Sequence, residues 1–106
     1  MKKKDQGLTF SEQYPEINDA LTNLRECCQA AKHLDPRTSM LVRLAAAFGG
    51  GHENPVKAHT AKAQALGISQ EQIEEAILLN LATVGYARTV VALNWVHEVT
   101  GKAPFL

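Results

Sequence analysis

The chain has little cysteine, no net charge and no apolar run long enough to cross a bilayer, and each absence removes a class of protein. Its only two cysteines among 106 residues, Cys27 and Cys28, are adjacent. No bridge can therefore join distant elements within one chain, and a disulfide scaffold is excluded. Eleven basic side chains balance 11 acidic ones, which removes the basic footprint left by phosphate-backbone binding. No nucleic-acid partner is expected. The run Lys2-Lys3-Lys4 reads as part of a solvated, flexible start over residues 1–10. The longest uncharged stretch, Ala76 to Ala87, includes Asn80 and Thr83 and falls short of the ~20 residues a membrane span needs. No apolar run of signal-peptide length follows the basic start. The expectation is a cytoplasmic protein without a membrane partner, in a compartment where thiols stay reduced.

No repeat, low-complexity stretch or linker divides the sequence. A single domain over residues 1–106 is expected, burying roughly 65% of the unfolded surface. With 45% of residues hydrophobic, the chain can fill such a core, which excludes disorder. Strand alternation is also missing. Apolar residues recur instead by threes and fours, and the fold class is an all-α, single-domain helical bundle of about five helices.

The first expected helix carries Tyr14, Ile17, Leu21, Leu24, Cys28 and Ala31 on one stripe. Asp35-Pro36 then pairs a capping side chain with proline at the first helical position. Leu41, Leu44, Ala45 and Phe48 give the second helix its buried face, and Gly49-Gly50-Gly51 stops it. Asn54-Pro55 repeats the cap-plus-proline signal for a third helix with the stripe Val56, His59, Ala63, Leu66. Gly67 is a left-handed terminator, and Ser69 to Gln72 reads as a capping box bracketed by Ile68 and Ile73. A fourth helix is expected from Gln70 to about Val84, and its second half is apolar nearly all round. Such a helix needs cover on every face, which makes it a candidate subunit interface. The last helix, from about Gly85 to Thr100, shows Val91, Trp95 and Val99 on one side, with Gly101 and Pro104 beyond.

Several catalytic signatures are absent. His52-Glu53 and His59 do not form H-E-x-x-H, and no C-x-x-C accompanies them, so no metal is expected. The glycine triplet lacks the G-x-G-x-x-G spacing, and there is no G-x-S-x-G elbow. Among the four histidines (His33, His52, His59, His97), His59 stands out because its spacing sets an imidazole on a buried stripe. A buried ring with a shifted pKa suits proton transfer, or it is a core histidine bonded to a backbone carbonyl. His52 and Glu53 lead into the same helix and either converge on His59 or are solvated. Of the cysteines, Cys28 sits on the apolar stripe as a small hydrophobe, and Cys27 is the more exposed.

Leu41-Val42-Arg43-Leu44-Ala45-Ala46-Ala47 precedes a run in which His59, Ala63, Gly67, Ser69, Glu71, Ile73 and Glu75 follow the skeleton H-x-x-x-A-x-x-x-G-x-[ST]-x-E-x-I-x-E. On these residues the chain resembles the carboxymuconolactone decarboxylase superfamily, which includes the alkylhydroperoxidase D-like proteins, over about residues 35–99. The resemblance implies an all-helical subunit that forms homotrimers or homohexamers. It implies no cofactor. The peroxidase branch places a glutamate and a cysteine pair where Met40, His52 and Pro55 stand here, so the redox site is degenerate and only His59 remains. The decarboxylase branch also lacks the cysteine pair and keeps a histidine, although it carries glutamate-leucine where Pro55-Val56 stands.

The functional expectation is His59-centred acid–base chemistry on a small organic acid or lactone. His52 or Glu53 would assist, and Arg43 would hold the anion. One alternative is a thiol-dependent peroxidase or antioxidant activity built on Cys27 or Cys28. Another is a non-catalytic oligomeric ligand-binding module.

Overall fold

In the computed structural model, which describes residues 7–30 and 32–106, the chain is helical with no strand among the described residues. Where the sequence reading has one domain, the chain divides into two compact units, Met1–His33 and Leu34–Leu106.

The first unit holds α1 (Phe10–Gln13) and α2 (Pro15–Cys28). Thr9 and Glu12 form a capping box, so helix begins inside the segment expected to be flexible. Tyr14 breaks the two apart with φ −129° and ψ 65°, because the ring of Pro15 disfavours a helical residue before it. The lysine run and the rest of residues 1–6 lie outside the described residues, as does Ala31. The expected stripe does fall along α2, yet no residue of α2 is buried. Ile17, Leu24 and Cys28 are exposed, which corrects the expectation that Cys28 is a packing residue. Periodicity selects a face, and burial further requires a surface that covers it.

The second unit contains α3 (Pro36–Gly49), α4 (Glu53–Ala65), α5 (Gln70–Leu78), α6 (Leu81–Val84) and α7 (Tyr86–Thr100). Local signals set most of these ends. Asp35 Oδ1 accepts from Thr38 N at 2.8 Å with Pro36 following. The Ser69 hydroxyl accepts from Gln72 N at 3.1 Å while the Gln72 side chain accepts from Ser69 N at 3.0 Å. Gly67 and Gly101 both stop helices with left-handed backbone, at φ +78° and +84°.

Helix α3 packs on α4, α4 on α7, α7 on α5 and α5 on α3, closing a ring around one core. Each of these four helices contributes two fully buried apolar side chains, Leu44 and Phe48, Val56 and Ala63, Ile73 and Ile77, Ala92 and Val96, and α4 adds the fully buried Thr60.

The structure corrects several helix boundaries and faces. The expected fourth helix is two, and the short α1 precedes the expected first helix, giving seven helical segments among the described residues rather than about five. Asn80 turns its amide back to the Ala76 carbonyl at 3.0 Å, and its backbone leaves the helical range at ψ 10°. Helix α4 starts at Glu53 with His52 as N-cap, not at Asn54-Pro55. Pro55 fits there because first-turn N–H groups have no intrahelical acceptor.

The buried line of α4 is Val56, Thr60, Ala63, so His59 lies at its margin and Leu66 is exposed. In α7 the core side is Thr89, Ala92, Leu93, Val96 and His97, while Val91 is exposed and Trp95 packs at the edge. In α3, Met40 and Ala47 join Leu44 and Phe48 inside. Leu41 and Ala45 instead line an open, mainly apolar groove of about 410 Å³ between α3 and α5, together with Val42, Ala76 and Leu79. No helix among the described residues is long and apolar enough to cross a membrane.

Candidate functional site

Helices α3 and α4 are consecutive, packed together and joined by the short connection Gly50–His52. Arg43 stands six residues before the last residue of α3, and His59 six residues after the first of α4. At 1.5 Å per residue both lie about 9 Å from the connection, at the same depth along the pair. Both side chains are half-buried. Arg43 Nε and His59 Nδ1 are each shut off from solvent without a hydrogen-bond partner among the described residues. Burial first, then the positive charges of Arg43 and Lys62, push the His59 pKa below its ordinary value of 6.5. The ring is therefore neutral at pH 7, so it can take up a proton. Its surroundings are electropositive and favour an anion. The guanidinium of Arg43 matches a carboxylate in shape as well as charge.

Neither of the expected helpers is brought to His59. His52 is the N-cap of α4, seven residues before His59 and so about 10 Å away along the axis. Its exposed ring folds over Gly50, where an added Cβ would lie 2.6 Å from His52 Nε2. Arg88 secures the same connection by donating to the Gly49 carbonyl at 3.1 Å. Glu53 is held by Lys57 at 2.6 Å, and Lys57 also reaches Glu98 at 3.2 Å. The Glu53 bond is the first cause of the raised Lys57 pKa. Six residues is 600° of helix, which turns Glu53 about 120° away from His59.

Cys27 and Cys28 are exposed on α2, in the first unit. Met40, at the position of the peroxidase glutamate, is a buried core residue. Among the described residues no three histidine, cysteine or acidic side chains gather as metal ligands.

Sequence reasoning missed His97, the most buried histidine, at 2% exposure. Its Nε2 lies 2.9 Å from Glu74 and its Nδ1 3.0 Å from the Ala103 carbonyl. Both nitrogens are engaged, so no substrate can reach either, and this is the structural histidine of the fold. The signal for it was the spacing Thr89, Leu93, Val96, His97, one step round from the Val91, Trp95, Val99 line.

Three comparisons with known proteins bear on this site. The family model described as the carboxymuconolactone decarboxylase family matches residues 15–98. An uncharacterized protein of Methanocaldococcus jannaschii is 31% identical over 87 residues, which is 82% of this chain and 81% of that protein. No solved structure matches the chain.

Proposed function

The chain belongs to the carboxymuconolactone decarboxylase family, and from that premise we propose that His59 performs acid–base chemistry on a small carboxylated substrate anchored by Arg43. The observation that carries this reading is the pair of buried, unpartnered atoms, Arg43 Nε and His59 Nδ1, at one level of neighbouring helices. A carboxylate against Arg43 supplies the missing acceptor and offsets the charge that depresses the His59 pKa. The neutral imidazole then takes a proton from the bound acid or lactone, and as imidazolium it returns one to carbon.

Binding of a carboxylated five-membered lactone, followed through the His59 ring resonances, tests the reading. The free acid is expected to shift those resonances and raise the midpoint of the His59 titration, while its neutral methyl ester does neither. Arg43→Gln is expected to weaken the acid roughly ten- to a hundredfold, the range for a lost charged hydrogen bond. Equal binding of acid and ester, or an Arg43→Gln variant that binds normally, sinks the proposal.

The same reading includes self-association as a homotrimer or homohexamer. Its support is the apolar surface left uncovered in one chain. Leu79 is 75% exposed and Val42 about half exposed, and both line the groove between α3 and α5. Exposed apolar surface of this kind marks interfaces. Light scattering is expected to give a multiple of the 11.6 kDa chain mass, and Leu79→Glu to lower it. A monomer at micromolar concentration defeats this part.

A further inference from the structure

Beyond the α3–α4 site, the most densely bonded polar cluster lies on the seam between α5 and α7, and its chemistry depends on a proton. After Thr100, Gly101 turns the backbone with φ +84° and donates to the His97 carbonyl at 2.8 Å. The chain then runs back along α7. Asn94 grips it from below: Phe105 N donates to Asn94 Oδ1 at 2.7 Å, and Asn94 Nδ2 donates to the Phe105 carbonyl at 3.4 Å. The Phe105 ring lies against the His97 ring, with centroids 5.2 Å apart. Ala103 presents its carbonyl to His97 Nδ1 at 3.0 Å. On the other side of that ring, Glu74 Oε2 lies 2.9 Å from Nε2.

The acceptors around the ring limit which of its bonds can form together. Glu74 Oε2 already accepts from Gln70 Nε2 at 2.8 Å and from Lys102 Nζ at 3.2 Å, as an ionised carboxylate oxygen does. A carbonyl oxygen is an acceptor only. His97 therefore faces an acceptor on each side, and both bonds form only if both nitrogens carry hydrogen. With one proton removed, a lone pair of this 2%-exposed ring faces either Ala103 or Glu74 at bonding distance. Lys102 is spent on Glu74, and on α4 Lys57 is spent on Glu53 and Glu98.

We infer that segment 102–105 is a proton-locked strap, closed over the α5–α7 seam while His97 is doubly protonated and lifting when Nδ1 loses its proton. Glu74 keeps its hold on the Nε2 hydrogen because the charged bond is the stronger of the two. The Ala103 contact is thus the one given up, and Asn94 alone then holds Phe105. Lifting exposes the His97 ring and the Asn94 amide, a surface that closure hides. The inference uses no residue of the Arg43–His59 site and stands or falls separately from the proposed function.

The test is made on the full chain by nitrogen-15 spectroscopy of the imidazoles together with hydrogen exchange at the Phe105 amide, from about pH 5 to about pH 8. In the closed state both His97 nitrogens are expected to show protonated shifts. As Nδ1 loses its proton, the Phe105 protection factor is expected to fall roughly tenfold or more. In Glu74→Gln the introduced amide can donate to a bare Nε2, so a neutral ring satisfies both neighbours. That variant is expected to keep Phe105 protected with no dependence on pH. A closed strap over a singly protonated ring would overturn the inference. So would Phe105 protection that is constant through the proton loss, or a pH dependence that persists in Glu74→Gln.

Discussion

His59→Gln is expected to reduce turnover of a carboxylated substrate by about 10²- to 10⁴-fold, the usual contribution of a positioned acid–base group. His59→Leu should lose as much activity without losing stability. The Nδ1 atom is buried without a partner among the described residues, so an apolar side chain there removes an unmet hydrogen bond and leaves folding unchanged or better by about 1 kcal/mol. A structural histidine behaves the other way, costing stability when its bonds are removed.

The pH profile separates the two further. The folded-state pKa of His59 is lowered below 6.5, so the unfolded chain takes up its proton first as the solution is acidified. Stability therefore falls as pH drops through 6.5, and stops falling from this cause below the depressed folded value. The His59→Leu variant lacks that component. Glu74 and Asp35, both with lowered pKa values, add a second loss at lower pH that the variant retains. Urea melts at several pH values read the difference between the two proteins. If His59→Leu is strongly destabilised and its acid profile matches the parent, His59 is a core residue and the proposed chemistry fails. If carboxylates bind at His59 but no substrate turns over, the chain is the ligand-binding module.

Phe48→Ala is expected to carry the largest stability cost, about 3–5 kcal/mol, since it removes the largest fully buried side chain from the hydrophobic core. Against a total of about 5–15 kcal/mol for a domain, that is enough to leave a large unfolded fraction at moderate temperature. Phe10 is the internal control. It is about half exposed on α1 and touches Tyr14 at a centroid distance of 5.2 Å. Its replacement by alanine is expected to cost less than about 1 kcal/mol, the scale of an aromatic pair outside a core. Thermal and urea melts of the two variants check the ordering. Equal costs would mean that the core is not where these side chains place it.

The site was only half legible in the sequence. His59 was readable from its place along the apolar stripe of its helix, and Arg43 only as the anion clamp that the family resemblance implied; their equal depth followed from the helix start at Glu53. Glu53 was not, because its fate depends on Lys57 one turn on and on Glu98 across the interface with α7. His97 was hidden for a similar reason. The carboxylate that meets it is 23 residues away in the chain, and nothing in local spacing ties Glu74 to it.

Helix ends were settled by the sequence wherever a cap bonds to its own near neighbours. Asp35 with Thr38, Ser69 with Gln72, and the glycines at 67 and 101 act within four residues, so tertiary context has little to change. Asn80 was the exception, because an asparagine inside an apolar run can continue the helix or turn its amide back to Ala76. Which residues at the margin of each stripe are buried was decided by packing. One residue is 100° of rotation, so a displacement of a single position separates a buried Thr60 from a marginal His59, and a buried His97 from an edge-packed Trp95 is only two positions away. Local sequence fixes the phase of an apolar stripe to about that accuracy, and the neighbouring helices choose within it. For α2 the stripe was readable from the sequence, but burial belongs to a pair of surfaces, and no residue of α2 is buried.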